Sequence, residues 1–181
     1  MGASSYAMQD PEHLWRVLGL DFGTRLADLG CGPGEYALEA ARRVGPQGHV
    51  WALDKDGHTL EALAKVAQAR GLNNLTTLTA DLRQPLPLDD AVADICLLAM
   101  MLHTIKFTLA EGGLFREVRR ILRRGGRMAV INFSMADFSF GPPPHLRITP
   151  EELDELVLPH GFSRRHLETA KLNYLALYHK K

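Results

Sequence analysis

Leu26-Ala27-Asp28-Leu29-Gly30-Cys31-Gly32-Pro33-Gly34-Glu35-Tyr36 is the stretch that decides the fold. A short apolar run carries the acid Asp28, breaks into glycines at alternate positions 30, 32 and 34, and passes directly into an amphipathic helical pattern. That order reads as a strand, a tight turn and a helix N-terminus. Glycine suits the turn because, lacking Cβ, it takes positive φ and lets backbone approach a ligand closely. The helix start adds unpaired N–H groups and partial positive charge. The stretch is therefore read as a binding loop of the nucleotide type, and the rest of the chain as its support.

Working outward, Asp10 and Pro11 open a short helix over 11–20 with Leu14, Val17 and Leu18 on one face. A turn over 21–24 leads into the strand 25–29, and the helix after the loop, 33–44, ends at Gly45-Pro46-Gln47-Gly48. A second strand over 49–53 places Asp54 at its C-terminal end, and a helix follows over 57–69. Strand three, 75–78, precedes Ala80-Asp81-Leu82, and Pro85 and Pro87 bar a regular helix after it. The nearly continuous apolar run 93–100 suits a strand buried on both faces. A helix is expected over 111–124 with Gly125-Gly126 as its stop, then a fifth strand over 127–133. After a loop over 134–146, Thr149 and Glu152 form a capping-box pattern for a last helix, and strands 163–168 and 172–179 close the chain.

Alternating strands and helices predict an α/β fold, a Rossmann-like doubly wound sheet of seven strands. The sheet should be mostly parallel. The connection between the last two strands is too short for a crossover, so they should form an antiparallel hairpin at one end. Residues 11–181 are expected to be one domain after a flexible N-terminus over 1–10, within which the small, polar residues 1–5 read as a disordered start.

The 181 residues are 46% hydrophobic and 23% charged, as in ordinary globular domains. Lys+Arg of 21 balances Asp+Glu of 21, which gives no general electrostatic footprint for nucleic acid. Cys31 and Cys96 lack zinc or disulfide spacing, so no metal is expected and both are read as reduced thiols of a cytoplasmic protein. No apolar run is long enough to span a bilayer, and no secretory signal pattern opens the chain.

Asp28-Leu29-Gly30-Cys31-Gly32-Pro33-Gly34, the acid Asp54, Ala80-Asp81-Leu82, and Arg120 to Arg127 ahead of the fifth strand together resemble the class I S-adenosylmethionine-dependent methyltransferases. The likeness extends from about residue 11 to the end, and is nearest to small bacterial and archaeal members with a bare catalytic domain. In those a Gly-Pro-Pro segment after strand five precedes a short helix, as 141–152 does here. The resemblance implies S-adenosylmethionine as cofactor, S-adenosylhomocysteine as product, and direct methyl transfer to a small-molecule acceptor. Gly30, Cys31, Gly32, Gly34 and Tyr36 would surround the methionine portion, with Asp28 near its ammonium group. Asp54 would accept from the ribose hydroxyls with Lys55 on the rim, and Asp81 and Leu82 would meet the adenine. Ala99 and Met100 would offer carbonyls to the amino acid.

A nicotinamide-dependent oxidoreductase is the competing reading. Its loop pattern is Gly-x-Gly-x-x-Gly. Here the spacing is Gly30, Gly32, Gly34, and Glu35 would repel a pyrophosphate at the helix start. Asp54 lies 54 − 30 = 24 residues after Gly30, compatible with a ribose in either fold. A non-catalytic binding module and an RNA methyltransferase are further alternatives. Arsenite as acceptor is disfavoured with only two cysteines.

On the acceptor side, His103 is a candidate general base, or a histidine bonded at a helix start. Asn132 ends the fifth strand beside Phe133, and either lines the pocket or forms a turn. His145 and Arg147 follow the proline loop; Arg147 suits an anionic acceptor, unless both simply belong to a solvated loop. Tyr174 and Tyr178 read as core, and the arginines between 116 and 127 as a solvated helix face and C-terminus. Monomer and homodimer both stay open.

Overall fold

The computed structural model describes Tyr6, residues 10–136 and residues 140–181. The apolar runs form strands β1 (Arg25–Leu29), β2 (His49–Asp54), β3 (Leu75–Thr79), β4 (Ala93–Ala99) and β5 (Leu122–Phe133), followed by β6 (Phe162–Thr169) and β7 (Asn173–Lys180). They build one sheet in the order β3-β2-β1-β4-β5-β7-β6. The first five strands pair in parallel, and β7 runs antiparallel to both β5 and β6, giving the expected terminal hairpin. Strand order reverses between β1 and β4. Chain segments leaving those two strands diverge and open a crevice at the carboxyl ends of the sheet.

Among the described residues five α-helices cover the sheet: α1 (Pro11–Leu18), α2 (Glu35–Val44), α3 (Gly57–Ala69), α4 (Gly113–Ile121) and α5 (Pro150–Val157). Alternating side chains send one set of strand residues to each face. Ile95 and Leu97 of β4 join Leu14, Leu18, Ala37 and Leu63 under α1 to α3. Cys96 and Leu98 join Phe115, Val118 and Leu153 under α4 and α5. Tyr174 and Tyr178 are buried in the second layer, where their hydroxyls donate to Ile148 O and Asp154 Oδ1. Asp10 caps α1 through the Glu12 and His13 amides, and Thr149 and Glu152 complete the capping box of α5. Tyr6 and Asp10 are the described residues of 1–10. The Tyr6 ring lies 5.0 Å from that of Tyr36, edge-on, and its hydroxyl accepts from Trp15 Nε1. The flexibility expected of the other residues there, including 1–5, falls outside the described residues.

The helix expected over 111–124 is shorter. It stops at Ile121, because Leu122 turns extended (φ −72°, ψ 134°) and pairs with Ala93. Gly125 takes φ 72° inside β5, beside the register shift between Ala93 and Ile95, so the two glycines mark an irregular strand rather than a helix stop. Arg123 and Arg124 therefore belong to a strand, and Arg123 pairs with Asp94. Arg120 reaches across to Leu86 O and Leu88 O while pairing with Glu117 and Asp90. Residues 102–110, given no element from the sequence, and Glu111, expected to open the next helix, form a 3-10 segment kinked at Ile105. Among the described residues no helix is long and apolar enough to cross a membrane.

Candidate functional site

Each glycine of the β1–α2 loop has positive φ: 77° at Gly30, 51° at Gly32 and 82° at Gly34. The three do different work. A Cβ on Gly34 would lie 2.4 Å from the Leu63 side chain, and one on Gly30 would lie 3.0 Å from Met101, so both are places of close packing. At Gly32 a Cβ would meet nothing within 4 Å, which leaves room over the loop. Backbone amides of Gly30 and Cys31 donate to Leu53 O at 2.8 and 2.9 Å, and that of Gly32 to Asp54 Oδ2 at 2.9 Å. Asp54 thus ties the loop to the end of β2, while its Oδ1 accepts from the Asp56 amide.

Asp28 is 1% exposed, and its Oδ2 has no partner. Burial, and then the charge of Asp54, push its carboxyl up to about 7, against the pull of the Ala37 amide in the first turn of α2. A buried carboxylate oxygen without a donor is costly, and the usual resolution is a ligand or a proton.

A cavity of about 280 Å³ opens at the crevice. Gly30, Asp54 and Lys55 line one side, residues 80–83 the next, and Met100, Met101 and His103 the side beyond β4. Asp81 is gripped by Arg83, whose Nε and Nη2 donate to its oxygens at 2.9 and 2.6 Å and hold its carboxyl down to about 2. Met100 has φ 53°, a left-handed conformation that is costly for a residue with a Cβ. Its amide donates to Ile131 O at 2.8 Å, which fixes the kink at the end of β4. Met100 and His103 also line a second, more open hollow, walled by Phe133, Leu146 and the Gly141 to Pro143 loop. His103 therefore stands on the wall shared by the two cavities. Its ring lies 6.0 Å from that of Phe133, edge-on, its Nδ1 is buried without a partner, and burial lowers its pKa.

Among the residues singled out from the sequence, Gly30, Asp54, Lys55, Asp81, Leu82, Met100 and His103 come together around the first cavity. Gly32 and Gly34 shape its loop. Asp28, Cys31, Tyr36 and Ala99 do not line it, and Asp28 lies buried behind the loop. Cys31 is buried with Sγ 3.6 Å from Gly32 O, and Tyr36 packs its ring on Trp15 and Tyr6. Three acceptor-side expectations need correction. Asn132 is 1% exposed and turns to the Tyr174 hydroxyl, so Phe133 and not Asn132 lines the hollow. His145 is exposed and outside the lining. Arg147 is 3% exposed, and its guanidinium donates to the carbonyls of Pro142, Ser134 and Ala136. It clamps the loop from within and is not part of the lining of the hollow. Met101, which belongs to the stretch after the fourth strand expected on the methyl side, joins the lining; Arg83, Thr104 and Ile105 were missed, since nothing in their local sequence marks them. Among the described residues no cluster of His, Cys, Asp or Glu could hold a metal.

The methyltransferase-domain family matches residues 26–126, from the first strand past the glycine pair of β5. The chain belongs to the class I S-adenosylmethionine-dependent methyltransferases. This methyltransferase is 32% identical over 135 residues to the aklanonic acid methyltransferase DauC of Streptomyces sp. (strain C5), an alignment covering 74% of this chain and 60% of that protein. It is 27% identical over 123 residues to the demethylmenaquinone methyltransferase of Geobacillus kaustophilus, covering 68% and 51% respectively. The chain thus spans between half and two thirds of these curated relatives. The fold of a methyltransferase from Aquifex aeolicus superposes with a TM-score of 0.88 at 23% identity, covering 99% of this chain and 94% of that one.

Proposed function

We propose that this methyltransferase binds S-adenosylmethionine in the first cavity and transfers its methyl group to a small-molecule acceptor in the adjoining hollow. The observation that carries the reading is Asp28: a buried carboxylate with an orphaned oxygen, directly before the glycine loop, is a ready partner for an ammonium group. Asp54 would accept from the ribose hydroxyls with the lone pairs left beside its two amide bonds. Asp81, already held by Arg83, and Leu82 would flank the adenine. When bound, S-adenosylmethionine supplies an electrophilic methyl group. The protein's task is then to position the acceptor and to exclude water. Burial keeps His103 below the usual histidine range, so its imidazole is neutral at pH 7 and able to take a proton.

The names of the two relatives, an aklanonic acid and a demethylmenaquinone methyltransferase, support an acceptor of small-molecule class. Glu35, exposed at the first position of α2, disfavours the pyrophosphate of a nicotinamide cofactor. The free, buried Cys31 and Cys96 accord with a cytoplasmic setting. Calorimetric titration tests the reading. S-adenosylhomocysteine should bind saturably and NAD should not, and Asp54→Ala should weaken the former at least tenfold. Saturable NAD binding without S-adenosylhomocysteine binding would overturn it.

A further inference from the structure

We infer that the second hollow takes an uncharged, flat, apolar acceptor bearing an acidic hydroxyl of phenol or enol type. The inference rests on the methyl-transfer reading above and names the acceptor class for that site. Two observations carry it: the chemistry of the walls, and the setting of His103, the one titratable group among the described lining residues, whose Nδ1 is buried without a partner.

The walls are thioether, aromatic ring, proline and aliphatic side chain: Met100, Phe133, Pro142, Pro143 and Leu146. Among the described residues that line it, none carries a formal charge once His103 is neutral. Two cations of the neighbouring segments are directed elsewhere. Arg147 sits inside the loop with its donors on three backbone carbonyls, and Lys106 Nζ donates to Arg147 O. Among the described lining residues, an anionic acceptor would therefore lose hydration with no cation to answer it, and a cationic acceptor would meet no carboxylate. The wall is built rather than incidental. Gly141 takes φ 80° and backs onto Phe133 so closely that a Cβ there would lie 2.8 Å from the ring.

His103 restricts the hydroxyl. Among the described residues no carboxylate orients its ring: Nδ1 is buried with no partner, and Phe133 presents an edge-on aromatic contact. An imidazolium formed there gains no stabilising charge, so the ring is a weak base. It can relieve an acceptor whose proton is already acidic, near the phenol value of about 10, but not an ordinary alcohol. The O–H bond breaks, its proton passes to the imidazole, and the oxygen's electron pair forms the new bond to the methyl carbon. The C–S electron pair leaves with S-adenosylhomocysteine, and the imidazolium returns its proton to solvent.

The test uses the full chain saturated with S-adenosylhomocysteine and three probes of one shape: 2-naphthol, 2-naphthoate and 2-naphthylmethylammonium. Calorimetry should find 2-naphthol bound at least tenfold more tightly than either ion. Phe133→Ala and, as a milder change, Leu146→Ala should each weaken 2-naphthol at least fivefold while S-adenosylhomocysteine affinity is kept. Equal or tighter binding of either ion, absence of 2-naphthol binding, or indifference to Leu146→Ala would overturn the inference. Failure to bind S-adenosylhomocysteine would instead strike the reading on which it rests.

Discussion

Asp28 is where a single residue links stability to ligand. Its folded pKa is raised from 3.8 to about 7, chiefly by burial, so the folded state favours the protonated form. The stability it contributes is fully present below the unfolded carboxylate value and is lost as pH rises through about 7. The shift corresponds to roughly 4 kcal/mol at most. Asp28→Asn holds the neutral shape at every pH. Its melting temperature relative to the parent should therefore climb by several degrees between pH 4 and pH 8, and a flat difference would refute the assignment. If the orphaned oxygen receives an ammonium group, binding near pH 7 should also expel about half a proton, the fraction bound by a group of pKa about 7. Calorimetric enthalpies of S-adenosylhomocysteine binding should then differ between phosphate and Tris for the parent and agree for Asp28→Asn. His103 makes a kinetic prediction. His103→Gln should cut methyl transfer to 2-naphthol by roughly a hundredfold at pH 7, and the deficit should close toward pH ~10 as the phenol ionises unaided. A deficit constant with pH would mean that His103 only shapes the wall. Asp28 and Asp54 could be singled out in the sequence because each is an acid at or next to the end of an apolar strand. Arg147 and Asn132 were not: whether a polar side chain faces a cavity or a carbonyl is set by packing between segments distant in the chain.

At the scale of elements, the β1–α2 loop separates two roles that the sequence writes with one letter. Gly32→Ala puts a left-handed alanine at φ 51° into open space, at a stability cost of roughly 1–2 kcal/mol. Gly34→Ala adds an overlap with Leu63 in the packed layer between α2 and α3, bringing the cost to roughly 2–4 kcal/mol. Urea midpoints should rank Gly34→Ala as the more damaging to folding, and S-adenosylhomocysteine titration should rank Gly32→Ala as the more damaging to binding per unit of stability lost. The opposite ranking in urea would show that Leu63 yields freely. Strands and the first three helices were readable because their periods are unbroken and their ends carry caps. The α4–β5 junction was not. Leu122 fits both the apolar stripe of the preceding helix and the first residue of a strand, and pairing with Ala93 decides between them. The 3-10 segment at Leu102–Glu111 has no clear apolar period and is held by its neighbours, as in the Lys106 bond to Arg147 O.

Across the whole molecule, the crevice lies on the seam between two halves of the sheet, β3-β2-β1 and β4-β5-β7-β6, joined by the short β1–β4 ladder from Leu26↔Ile95 to Asp28↔Leu97. A ligand in the first cavity touches both halves, Gly30, Asp54 and Asp81 on one side and Met100, Met101 and His103 on the other. Its binding energy should therefore stabilise the sheet as one unit. At 100 times its dissociation constant, S-adenosylhomocysteine adds about 2.7 kcal/mol. For a chain of this size that corresponds to a rise of roughly 5–11 °C in melting temperature. Two signals can tell one unit from two. Trp15 packs in the layer under α1 to α3 and Trp51 against the opposite layer, so their fluorescence reports both faces of the first half. Far-ultraviolet circular dichroism reports the entire sheet. The two midpoints should coincide without ligand and rise together with it. A fluorescence midpoint that moves while the dichroism midpoint stays would mean that the halves melt separately and that the ligand grips only β1, β2 and β3.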